Sequence, residues 1–136
     1  MNENTKDTTQ QEAELEMLIS DILRDIGIPC NLLGYRYVRT AIMLAVQNQG
    51  YIDSVVKGLY PEAARRQGTT PSRLERGIRH AIEVAWDRGN VETHDKIFGY
   101  SVSASKGRPT NSEFIAGIAD YVKQLLKAGK PYKWRD

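Results

Sequence analysis

PEAARRQGTTPSRLERGIRHAIEVAWDRG, residues Pro61–Gly89, reads as two helical segments and the turn between them. Pro61 can open a short helix over PEAARRQ, and Gly68 closes it. Thr69 or Thr70 can cap a second, longer helix. Pro71 suits its first turn, where the missing N–H has no partner to lose. Gly89-Asn90 stops it, so the spacing predicts a helix over 71–88. On a wheel of about 100° per residue, Leu74, Ile78, Ala81, Ile82 and Ala85 fall on one side. Ser72, Arg76, Arg79 and Glu83 fall opposite, with Arg73 and His80 on one edge of that stripe and Glu75 on the other. An amphipathic helix with a charged outer face is by itself an ordinary solvated helix. What sets this one apart is what precedes it. A short helix, a turn of three or four residues containing glycine, then a helix with polar residues in its first two turns is the arrangement of a helix-turn-helix.

The distribution of charge agrees. The net charge of +2 does not itself announce nucleic acid, but it is unevenly spread. Residues 1–56 hold 4 Lys/Arg against 8 Asp/Glu, residues 57–108 hold 10 against 6, and residues 109–136 hold 5 against 3. The arginine-bearing helix therefore lies in the basic region. With 136 residues, 40% hydrophobic, the chain suffices for one domain with a real core. One cysteine, Cys30, cannot form an internal disulfide, and no Cys/His cluster has metal spacing. No apolar run is long enough to span a bilayer and the N-terminus is polar, so the expected compartment is the cytoplasm, and for a DNA binder the nucleoid. No cofactor is expected.

Outward from the central stretch, the pattern stays helical. Leu15, Leu18, Ile19, Ile22, Leu23 and Ile26 recur at helical spacing over Glu12–Ile26, with an acidic opposite face. A second helix is expected from about Leu33 to Gln49 and a short one over Asp53–Leu59. After Gly89, a short helix is expected at His94–Phe98. Thr110 and Glu113, three apart, form a capping box for a last helix running to about Lys127. Only SVS, residues 101–103, suggests extended structure. The expectation is an all-α, compact bundle of about six or seven helices containing a helix-turn-helix. Residues 1–10 read as a disordered tail, 11–128 as the domain, and 129–136 as a flexible basic tail.

Arginine can pair bidentately with guanine O6/N7, and a glutamate can accept from cytosine N4. Ser72 and the helix N-terminus suit phosphate. A glutamate among arginines would repel a phosphate backbone, which makes sense if it reads a base. SRLERGIRHAIEVAWDRGN, LYPEAARR, IGIPCNLLGYRYVRTAI and FGYSVSASKGRPTNSEFIAGIAD together resemble, in that family's order, the C-terminal effector domain of the stage-zero sporulation master regulator of spore-forming bacteria. The resemblance covers roughly Leu15 to Lys127. It implies a DNA-binding transcription activator and repressor acting on short sporulation boxes, often in tandem. Contact with the RNA polymerase sigma subunit is implied too. Matched position by position, it implies base contacts from Arg73, Glu75 and Arg76. It also implies backbone contacts from Ser72, Arg79, His80 and Lys127, and the basic loop residues Lys106 and Arg108 suit the same role. Two departures stand out. Gly77 occupies a position where the family usually has alanine, and no phosphorylatable receiver is expected, since residues 1–10 cannot supply one. An effector without its receiver is expected to be a monomer in free solution and to pair on tandem DNA sites.

The second reading is a protein-interaction module that kept the fold but lost DNA binding, such as an antagonist of a full-length regulator. The intact SRLER stretch argues against it. No catalytic residue is expected, because no paired carboxylates, nucleophile–base pair or metal set stands out. SASKGRP lacks the Lys-Ser/Thr arrangement of a P-loop. Arg65-Arg66 reads as a solvated face, His94 as a loop residue, Cys30 as core or boundary, and Tyr132 as part of a solvated tail. Trp86 lies off the apolar stripe, which implies that the end of its helix is covered on two sides.

Overall fold

The periodic segments become helices for the local reasons their punctuation implies, and the computed structural model describes residues 2–99 and 107–132. Helix α1 runs Asn2–Ile26, α2 Leu33–Gln47, α3 Gly50–Asp53, α4 Tyr60–Gln67, α5 Pro71–Arg88, α6 Val91–Phe98 and α7 Asn111–Ala128, with a π-helical turn at Val55–Leu59 between α3 and α4. Among the described residues there is no strand. The SVS stretch lies outside the described residues. No helix among the described residues is long and apolar enough to cross a membrane.

Three boundaries differ from the sequence reading. Helix α1 starts at Asn2, where residues 1–10 read as disordered. Nothing between Asn2 and Ile26 is glycine or proline, and extending an existing helix costs little per residue. The segment expected as one short helix, Asp53–Leu59, is split: α3 stops at Asp53, Ser54 leaves helical geometry, and the π turn begins at Val55. Helix α6 starts at Val91 rather than His94, because Asn90 caps it by accepting from the Glu92 N–H at 3.0 Å.

The centre of the bundle is α2, which packs against α1, α4, α5 and α7. It buries residues on several faces: Tyr35, Tyr37, Val38, Ala41, Ile42, Leu44 and Ala45. A helix apolar nearly all round must be surrounded. The apolar stripe of α5, from Leu74 to Ala85, is at most 1% exposed and packs on α2. Side-chain bonds fix the register of neighbours. Gln67 Nε2 donates to Thr40 Oγ1 at 2.7 Å, tying the end of α4 to α2. The capping box of α7 is complete: Thr110 Oγ1 accepts from the Glu113 N–H at 3.2 Å, and the Thr110 N–H donates to Glu113 Oε1 at 2.8 Å.

Trp86 is covered as its off-stripe position implies, with Phe98 and Phe114 edge-on at 5.5 and 6.0 Å. Its closest neighbour corrects the reading of His94. That residue is buried within α6, its ring stacked on Trp86, and Nε2 donates to the Ile26 carbonyl at 2.9 Å. Cys30 is exposed, not core or boundary. Tyr132 is half-buried, edge-on to Tyr121 at 6.3 Å, so the chain stays on the bundle that far instead of leaving it as a solvated tail.

Candidate nucleic-acid interface

The turn between α4 and α5 is built by three residues. Gly68 takes the left-handed conformation, φ 65° and ψ 36°, that ends α4. Thr70 caps α5, its hydroxyl accepting from the Arg73 N–H at 3.2 Å. Pro71 follows at the first helical position. Of the first-turn amides, proline has none and that of Arg73 is taken. Leu74 bonds the Thr70 carbonyl at 2.9 Å. The Ser72 N–H is left facing out of the positive end of α5, where an anion can meet it. Helix, left-handed glycine turn and capped helix together make a helix-turn-helix.

Burial of the apolar stripe forces the other face of α5 outward. Ser72, Arg73, Arg76, Arg79 and His80 are exposed, and Glu75 is half-buried. Their partners divide them. Among the described residues, the guanidinium groups of Arg73 and Arg76 have no acidic partner. Arg79 does: its Nη1 donates to Glu75 Oε2 at 2.5 Å, one turn earlier on the same helix. Glu83 gathers two more. Arg108 Nη2 reaches its carboxylate at 3.2 Å and His80 Nδ1 stands 4.0 Å away. The face thus carries two uncommitted cations in its first turns. Behind them, Arg79 and Arg108 are each held by a carboxylate that any anion would have to outbid.

Position is enforced from behind by residues the sequence reading did not single out. Asn111, at the start of α7, donates from Nδ2 to the Glu75 backbone carbonyl at 3.0 Å and to the Tyr60 hydroxyl at 3.2 Å. One side chain therefore joins α4, α5 and α7 at the level of the charged face. The three helices enclose a cleft of about 300 Å³ lined by Tyr60, Glu75, Arg79, Arg108 and Thr110 among others. Burial raises the Tyr60 hydroxyl above its ordinary pKa, while its bond from Asn111 acts the other way, so the phenol is neutral at physiological pH. Asn111 looked in sequence like an ordinary second residue of a capping box. Nothing in its neighbourhood signals a partner 51 residues upstream.

Not every predicted site residue is gathered here. Arg108 is brought to α5 by its bond to Glu83. Lys106 lies outside the described residues. Lys127 is exposed in the last turn of α7. At 1.5 Å per residue it stands about 24 Å along the helix axis from Asn111, at the far end of α7 from this face. Arg65 and Arg66 are exposed, but both bind Glu62, Arg65 through Nη2 at 2.7 Å and Arg66 through Nε at 2.8 Å. Those two guanidinium groups pull the Glu62 carboxyl down to about 2.

The family model described as "Sporulation initiation factor Spo0A C terminal" matches residues 19–122, more than half of the chain and the whole of α2 to α6. That family is one of DNA-binding transcription regulators, not of enzymes. The arginine-bearing helix, its glycine turn and the asparagine that braces them all fall inside the match, and the chain belongs to the family of Spo0A C-terminal domains, the DNA-binding effector domains of a sporulation regulator.

Proposed function

We propose that the chain regulates transcription by reading double-stranded sporulation-type boxes with α5 in the major groove. The observation that carries this is the pair of uncommitted guanidinium groups, Arg73 and Arg76, in the first turns of a capped helix whose opposite face is locked into the core. Such cations are free to pair with guanine O6/N7 without first breaking an ion pair. Glu75 supplies a cytosine acceptor and keeps its helical partner Arg79 aligned. Ser72, Arg79 and His80 on α5 meet phosphates, with Lys106 and Arg108 from the loop before α7. Lys127 joins the backbone contacts by resemblance alone, since it stands at the far end of α7. Activation and repression, contact with the sigma subunit, and pairing of two copies on tandem boxes follow from the family resemblance.

Fluorescence anisotropy with a labelled sporulation-box duplex and a scrambled duplex of the same composition tests this. Tighter binding to the box, lost on Arg76→Ala while scrambled binding is nearly unchanged, is the expected result. Equal losses on both duplexes would remove Arg76 from base reading.

A further inference from the structure

A second surface lies away from the charged face of α5, at the other end of α7. Helix α1, the end of α2 and the segment after α7 enclose an open groove of about 810 Å³, lined by Leu15, Met17, Leu18, Leu126 and Tyr132 among others. Leu15, Leu18 and Tyr132 lie half-buried at its base against the core. Met17 and Leu126 rim it, 67% and 56% exposed. Large apolar side chains that converge on one groove, instead of being scattered singly, mark an interaction site. Most of its walls, the part of α1 before residue 19 and everything after residue 122, lie beyond the stretch matched by the family model. The DNA-reading core therefore does not account for it.

Charge selects the occupant. Helix α1 holds seven acidic residues against Lys6 and Arg24, and Arg24 is already bound to Asp21. Glu12 and Glu14 stand on the groove, while Asp21 is held by Arg24; among the described residues that line it, Lys130 is the one cation. This edge repels DNA. A second copy docking through the same patch would set acid against acid, because a two-fold interface presents each surface to itself. An amphipathic helix with apolar residues at i, i+3/i+4 and i+7 and a Lys/Arg-rich flank satisfies both the apolar base and the acidic rim. We infer that the groove between α1 and the end of α7 is the docking site for a basic amphipathic helix of another protein.

The inference goes beyond the DNA-binding reading and does not depend on it. The test is anisotropy with a labelled helical peptide of about 18 residues, five turns, bearing leucines on one face and lysines on the other. A twin carries glutamates in place of the lysines. The basic peptide should bind at least about ten-fold more tightly than its twin, a preference that shrinks in high salt. Met17→Lys and Leu126→Lys are surface changes. Each should weaken the basic peptide roughly ten-fold with an unchanged thermal transition and unchanged box-DNA affinity. Equal binding of the two peptides, or wild-type affinity in both variants, would overturn the assignment. So would a dimer in sedimentation that Met17→Lys dissolves, which would make a second copy the occupant. A many-fold gain in peptide affinity on deleting residues 133–136 would also overturn it, since the chain's own terminus would then fill the groove.

Discussion

Gly34 of α2 and Gly77 of α5 meet where the two helices cross: a Cβ on Gly34 would stand 2.1 Å from the Gly77 carbonyl oxygen. The charged face of α5 is held outward by this backbone contact. Gly34→Ala sets carbon against backbone that cannot step aside and should cost about 2–3 kcal/mol or more. Gly77→Ala is different. Its Cβ would meet the edge of the buried Tyr37 ring at 2.8 Å, while the helix regains roughly 0.5–1 kcal/mol of propensity. A net loss of about 1 kcal/mol is expected. Urea unfolding of the two variants checks the order; a Gly34→Ala midpoint at or above that of Gly77→Ala would show that the helices do not cross there.

The stack of Trp86 on His94, centroids 3.9 Å apart and planes 10° from parallel, seals the ends of α1, α5 and α6. His94→Ala removes one ring and the donor to the Ile26 carbonyl, and should destabilise by roughly 2–4 kcal/mol. His94→Gln, which can keep the hydrogen bond without the stack, should recover part of that. Thermal unfolding followed by circular dichroism distinguishes them, and equal stability of Ala and Gln variants would deny the hydrogen bond a role.

Glu75 restrains Arg79 through their 2.5 Å pair. Glu75→Ala should release that guanidinium to phosphates, leaving or raising affinity for random DNA while relaxing preference for the box. The slope of log affinity against log salt should steepen by up to about one counterion. Loss of affinity for random and box duplexes alike would assign Glu75 a purely structural part.

The Glu62 carboxyl, lowered to about 2 by its bonds from Arg65 and Arg66, adds an acid-dependent increment to stability. A depressed carboxylate contributes above its unfolded value, near 4.5, and loses that contribution as pH falls toward its folded value. Glu62→Gln should therefore lower the urea midpoint modestly at neutral pH and flatten its fall between about pH 4.5 and 2, so that the two proteins converge in acid. A carbon-detected titration that puts Glu62 at its ordinary value would show that solvent screens these bonds.

Two copies on a tandem-box duplex should bind with modest cooperativity, because one duplex raises the effective concentration of the second. Inserting about half a helical turn, roughly 5 base pairs, turns the second site to the opposite side and should abolish it. Sedimentation of the free chain should give a monomer; a tight dimer without DNA would contradict this.

The helices were legible in the sequence because their signals are local: the 3.6-residue spacing of Leu74, Ile78 and Ala81, the Thr70–Pro71 start, and the box at Thr110 and Glu113 each need only one or two turns of chain. So was the outward set of Arg73, Arg76 and Arg79, since a buried stripe dictates the opposite face. Partnership between distant residues was not. His94 looks like a loop residue until α6 brings it under Trp86 and within reach of Ile26, 68 positions away. Gly77 reads as a defect in a helix until Tyr37 and Gly34 are placed against it. Which arginines are free and which are held depends on Glu75 and on Glu83, the latter meeting Arg108 across 25 residues. Periodicity assigns a side chain to a face, but hydrogen bonds, ring stacking and close backbone approach act over a few ångströms, and only the packed bundle decides which residues come that near.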